Sequence, residues 1–144
     1  MAIPYLACMV LVAAYNRLPP RVLPAIHAVE GGRVGMTRPN SDGSEDLGVM
    51  QVNSRWIAPI ARAIGTPEPA VRSRLIDDAC YNIAAAGVIL ATYLAEENGD
   101  LMRAVGDYHS HTPALNQGYQ EQVVAAARAM FERPSQAAPV RPGG

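Results

Sequence analysis

Residues Cys80 to about Glu96 limit what this chain can fold into more than any other stretch. The segment Ile83-Ala84-Ala85-Ala86-Gly87-Val88-Ile89-Leu90 is apolar on nearly every face of a 3.6-residue helix. Such a helix belongs at the centre, because apolar surface left in water forfeits the main driving force of folding. Its small residues let neighbouring helices come close. Asp77 offers an N-cap and Asn98-Gly99-Asp100 a break. The chain is therefore expected to pack further helices around this one.

Those helices can be placed in turn. Pro4 to Tyr15 reads as the first. Pro19-Pro20 suits the opening turn of the second, where a missing N–H is no loss. In that second helix Leu23, Ile26 and Val29/Glu30 share a face, and Gly31-Gly32 supplies a left-handed cap just after Glu30. Arg33 to Glu45, rich in Gly, Asn, Ser, Asp and Pro, reads as loop or a small hairpin turning at Asp42-Gly43. Ser54 can cap a short helix through Ala63. Thr66 to Arg74, Leu101 to Tyr108 and Tyr119 to Phe131 complete the set. Strand-forming runs are nearly absent and there is no internal repeat, so the expected class is mainly α. A chain of 144 residues can bury a core as one domain. Residues 1–132 are read as that domain and 133–144 as a disordered Pro/Ala/Gly-rich tail.

Composition removes several functions. A formal net charge of -1 gives no electrostatic case for nucleic acid or an anionic membrane surface. All 12 cations counted as Lys or Arg are Arg, which excludes a P-loop lysine and Schiff-base chemistry. The apolar run Ala2 to Ala14 is too short to span a membrane and lacks the basic start of a signal peptide, so it reads as a core helix. An exported form would carry its leader outside this sequence. Cys8 and Cys80 show no metal spacing; they are either two buried small side chains or one long-range disulfide.

Glu30 is the strongest chemical candidate. It lies beside an apolar stripe and at a helix C-terminus, where burial and the negative end of the helix dipole both disfavour the carboxylate. A carboxyl kept protonated near neutral pH can protonate a leaving-group oxygen. Downstream, Gln51 and Asn53 are amides in an apolar run and need partners or a cleft to face. Asp42, Ser44 and Asp46 lack the EF-hand spacing for calcium. His109 and His111 form an H-x-H with no third ligand evident in the sequence, and read as loop histidines near a polar cleft. No metal or cofactor is expected.

Three segments together carry a resemblance. Ile26-x-x-Val29-Glu30, then Gly48-Val49-Met50-Gln51-Val52-Asn53, then Ala104-Val105-Gly106-Asp107-Tyr108-His109 are similar in order and spacing to the motifs of lytic transglycosylases. The likeness is to the small periplasmic members that accompany type IV secretion and conjugation machines, and runs from about Cys8 to Phe131. The stretch Asn40 to Trp56 also resembles the active-site hairpin of c-type lysozymes. The resemblance implies a lysozyme-like (goose-type/SLT) helical domain with a small β-hairpin after the catalytic helix.

It further implies non-hydrolytic cleavage of the β-1,4 bond between N-acetylmuramic acid and N-acetylglucosamine, with Glu30 acting first as acid and then as base. Ser41, Met50, Gln51, Tyr108 and Tyr119 would contact substrate, with Tyr108 bonding Glu30 or stacking near the sugar. Asn53 would hold the loop. Asp46 falls where lysozymes carry a second carboxylate, and three readings stay open: helper, second catalytic group of a muramidase, or solvated loop charge. An inactive peptidoglycan-binding scaffold is a further alternative. Relatives tie the first helix to the start of the central one, which implies a Cys8–Cys80 disulfide and a periplasmic home. The implied partners are glycan strands and envelope secretion or conjugation components, for a monomer that is not an integral membrane protein.

Overall fold

The structure is a computed structural model that describes residues 2–132; the expected tail at 133–144 lies outside the described residues. The order is α1 (Leu6–Tyr15), α2 (Val22–Glu30), β1 (Thr37–Pro39), β2 (Glu45–Leu47), β3 (Val52–Asn53), a 3-10 turn (Ser54–Trp56), α3 (Ile57–Ile64), α4 (Glu68–Asp77), α5 (Ala79–Glu96), α6 (Leu101–His109) and α7 (Pro113–Phe131). The described chain is mainly helical, at 66% helix in seven helices, with a small antiparallel sheet.

α5 is the central element, packed against α1, α4 and α6. Asn82, Ile83, Ala86, Ile89, Leu90 and Tyr93 are buried. Its length and mean hydropathy of 1.3 would let it cross a membrane, but here one face lies inside the fold. Burial on nearly every face does not hold. Ala84 and Val88 are exposed and, with Ile60 and Ile64 of α3, line an apolar groove of about 360 Å³. An all-apolar sequence carries no polar stripe to mark which side is left open.

Several boundaries differ from expectation for local reasons. Asp78, not Asp77, caps α5: its backbone is extended and its Oδ1 accepts the Tyr81 N–H at 3.0 Å, while Asp77 still ends α4. Asn53, not Ser54, caps the 3-10 turn by accepting the Arg55 N–H, and Ser54 Oγ instead accepts the Glu45 N–H at 3.0 Å. α2 starts after Pro19-Pro20, with Pro24 within its first turn. α4 starts at Glu68 rather than Thr66. α7 begins at Pro113 rather than Tyr119, because Pro113 opens the helix and Gly118 is tolerated inside it.

The expected hairpin forms and gains a third strand, in the order β1-β2-β3. Arg38 faces Asp46 across the first pair, and Asp46 faces Asn53 across the second. Asp42 Oδ1 holds the turn by accepting from the Ser44 N–H (2.9 Å) and Oγ (2.6 Å). One fully buried amide helps fasten the sheet to the helices. Asn82 is 0% exposed, and its Oδ1 accepts the Met50 N–H at 2.7 Å. Its Nδ2 donates to the carbonyls of Leu47 and Leu75, both at 2.8 Å.

Cys8 and Cys80 form a disulfide that joins α1 to the start of α5 across 72 residues. Closing a loop of that length contributes about 4 kcal/mol in the chain-entropy account. Leu23 and Ile26 of α2, Leu47 of β2, and Val49 and Met50 after it are fully buried in one continuous apolar core. That core is the floor on which the cleft sits.

Candidate active site

Glu30 is the last residue of α2. Gly31 ends the helix in the left-handed region (φ 66°), and its N–H donates to the His27 carbonyl at 2.8 Å. Gly32 then lies flush against the sheet connection, where a Cβ would run into the backbone carbonyls of Gly48 and Val49. The adjacent glycines thus do different work. The first stops the helix; the second lets the Glu30 end dock against the segment that carries Met50 and Gln51.

The Glu30 carboxyl is partly buried and opens on a cavity of about 80 Å³, room for several water-sized groups. Asp46, Gln51, Val52, Asn53, Arg55, Trp56, Ile89, Tyr108 and His109 form the rest of its lining. Burial holds the pKa of Glu30 above the ordinary carboxylate range. The nearby Asp46 charge pushes the same way. The hydrogen bond from Tyr119, and the charges of His109 and Arg38, pull against this without overturning it.

Tyr119 Oη donates to Glu30 Oε1 at 2.7 Å. Burial, reinforced by the negative charge of Glu30, keeps this phenol far above its ordinary pKa, so it stays a donor. Its ring stacks on His109 with centroids 5.1 Å apart. Tyr108 does not take that position. Its hydroxyl donates to the Met50 carbonyl at 2.6 Å, and burial likewise keeps it protonated. The two tyrosines divide the work: Tyr119 holds the acid and Tyr108 pins the wall opposite.

Asp46 enters the cleft from β2. Its Oδ1 accepts from Asn53 Nδ2 at 3.1 Å. Asn53 also donates to Ser44 Oγ at 3.0 Å, so one amide fixes Asp46, the hairpin turn and the 3-10 turn. Gln51 has a left-handed backbone (φ 53°) and is 4% exposed. Its Nε2 donates to the Gly48 carbonyl at 3.0 Å, and no donor among the described residues reaches its buried Oε1. That oxygen is an acceptor standing at the cleft wall.

Met50 and Ser41 lie elsewhere. The Met50 side chain is fully buried, and the residue reaches the site only through its carbonyl. Ser41 is exposed at the hairpin tip, outside the cleft lining. Sequence reasoning gave no role to Arg55, which lines the cleft and donates from Nη2 to Tyr93 Oη at 3.2 Å. It also passed over Asn82. A lone amide inside the most apolar helix was the available signal, since a buried amide must find partners.

Chemically, the arrangement offers a carboxyl whose burial favours its protonated form, a donor to stabilise it once ionised, and a second carboxylate across a small cleft. No family model matches the chain, and no curated protein matches it.

Proposed function

We propose that the chain is a peptidoglycan lytic transglycosylase with a lysozyme-like domain. One observation carries this reading: a partly buried Glu30, its pKa raised by burial, is held at 2.7 Å by Tyr119 on the wall of a polar cleft. In the first step Glu30 gives its proton to the glycosidic oxygen and the bond to the anomeric carbon breaks. The muramyl 6-hydroxyl then attacks that carbon, and its proton passes to the Glu30 carboxylate. The product is a 1,6-anhydromuramyl end and no water is consumed. Tyr119 suits both steps, because its donated hydrogen bond favours the ionised form while burial still holds the Glu30 pKa above the ordinary range.

A second reading is favoured by the placement of Asp46 in the same cleft. As a muramidase, the protein would use Asp46 to stabilise the glycosyl cation while water attacks. Asp46 is already engaged with Asn53, which fits a helper that biases Glu30 electrostatically. The disulfide is compatible with an oxidising, exported compartment. That setting fits glycan strands as substrate and an envelope secretion or conjugation machine as the occasion for cutting them.

Mass spectrometry of muropeptides released from purified sacculi tests the reading. Anhydro ends are expected from the wild type and none from Glu30→Gln. Reducing ends that disappear in Asp46→Asn would instead establish the hydrolase. Equal release by wild type and Glu30→Gln would remove Glu30 from the chemistry.

A further inference from the structure

Glu96, Asp107 and His111 meet outside the cleft lining, with the His111 ring edge-on to Tyr93 at 5.1 Å. Glu96 closes α5, Asp107 lies in α6, and His111 sits in the connection to α7. Each offers one ligand atom, and the three atoms lie within 4.8 Å of one another. His111 Nε2 is 3.7 Å from Glu96 Oε2 and 3.7 Å from Asp107 Oδ1. Those separations are too long for hydrogen bonds. They are only a few tenths of an ångström beyond the spacing, about 3.4 Å, of two ligands on one tetrahedral ion.

A second observation concerns the burial of Asp107. The Asp107 side chain is 3% exposed, and its Oδ1 accepts from Asn116 Nδ2 at 2.9 Å. Its Oδ2 is buried and no N–H or hydroxyl donor among the described residues reaches it, while the Glu97 carboxyl is a neighbouring group of the Asp107 carboxyl. An orphaned buried carboxylate oxygen is costly unless something positive serves it. Asp107 and His111 border a cavity of about 410 Å³, lined also by Glu97 and Asp100 but not by Glu96, which leaves room for water beside the cluster.

We infer that Glu96, Asp107 and His111 bind one divalent transition-metal ion, of which Zn2+ is the fitting type. One imidazole with two carboxylates selects a borderline ion over the all-oxygen preference of Mg2+ or Ca2+. Asp107 is the fixed ligand, oriented by Asn116. Glu96 and His111 are about half exposed and close the remaining distance by side-chain rotation. The bound ion would staple the end of α5, the body of α6 and the connection that leads into α7. Asp107 directly precedes Tyr108, and α7 carries Tyr119, so the staple would stiffen the helices that present both tyrosines.

Calorimetric titration of the oxidised protein with ZnCl2, alongside MgCl2, tests this without reference to activity. One Zn2+ per chain is expected, with a rise in Tm and no response to Mg2+. His111→Ala and Glu96→Gln, both at exposed side chains, should each weaken Zn2+ binding at least about tenfold. His109→Ala, which removes the cleft imidazole, should leave binding unchanged. The assignment is overturned if wild type shows no saturable binding (an ion pair only), if His111→Ala and Glu96→Gln bind as wild type does, or if His109→Ala abolishes binding.

Discussion

Replacing Asn82 with alanine should unfasten the sheet from the helices and cost more than most single changes. Asn82 is fully buried and makes three hydrogen bonds, to the Met50 N–H and to the Leu47 and Leu75 carbonyls. Each such bond contributes about 1 kcal/mol net, and a buried group left without its partner costs about 1–3 kcal/mol. The Met50 N–H and the Leu75 carbonyl have no other partner among the described residues to fall back on. The sum is a loss of about 3–5 kcal/mol, a large share of the roughly 5–15 kcal/mol that holds a domain folded. Urea unfolding followed by circular dichroism, with the disulfide intact, measures it directly. The melting temperature should fall by about 10–20 °C. Asn82→Asp separates the parts. It keeps an acceptor for Met50 but turns carboxylate oxygens towards two carbonyls, so it should be at least as destabilising at neutral pH. A loss under about 1 kcal/mol for Asn82→Ala, or a stable Asn82→Asp, would refute the assignment of Asn82 as the fastening.

Four further outcomes are expected. Because the folded-state pKa of Glu30 is raised, its stabilising effect is full below the unfolded-state value and lost as pH rises through the folded one. Glu30→Gln should therefore be more stable than wild type at pH 7, with the gap closing below about pH 4; a gap that widens in acid contradicts the burial argument. Tyr119→Phe removes the bond that lowers the Glu30 pKa, so the alkaline limb of the rate on glycan strands should move to higher pH, and a shift the other way would count against the pairing. Gly32→Ala should destabilise by about 1–3 kcal/mol through its collision with two backbone carbonyls. Gly118→Ala, with open space around it inside α7, should stabilise by about 0.5–1 kcal/mol, and chemical denaturation of both variants checks the contrast.

Much of the helical frame was readable because periodicity and helix-ending signals coincide. Glu30 is followed by a glycine that takes the left-handed cap, and Asn98-Gly99-Asp100 separates α5 from α6 with positive φ at Asn98 and Gly99. Boundaries shifted where two residues compete for one job, as Asp77 and Asp78 do for the α5 cap. The site was harder to read. Residues 48–51 turn instead of extending, so their side chains do not alternate between core and cleft. Met50 therefore points into the core, while Gln51, with positive φ, reaches the cleft wall. Ser41 was lost to the cleft because the Asp42-Gly43 turn carries it to the hairpin tip. Which tyrosine meets Glu30 depends on how α7 crosses α2, and no local pattern in either helix encodes that crossing.

The bond between Glu30 and Tyr119 spans 89 residues. Its two ends belong to α2 and α7, so no shorter run of the chain contains both. A polypeptide released or clipped before residue 119 would carry the carboxylate without the phenol that steadies it. On the proposed reading, the acid of an enzyme able to breach a cell wall would be steadied only once α7 has docked against α2.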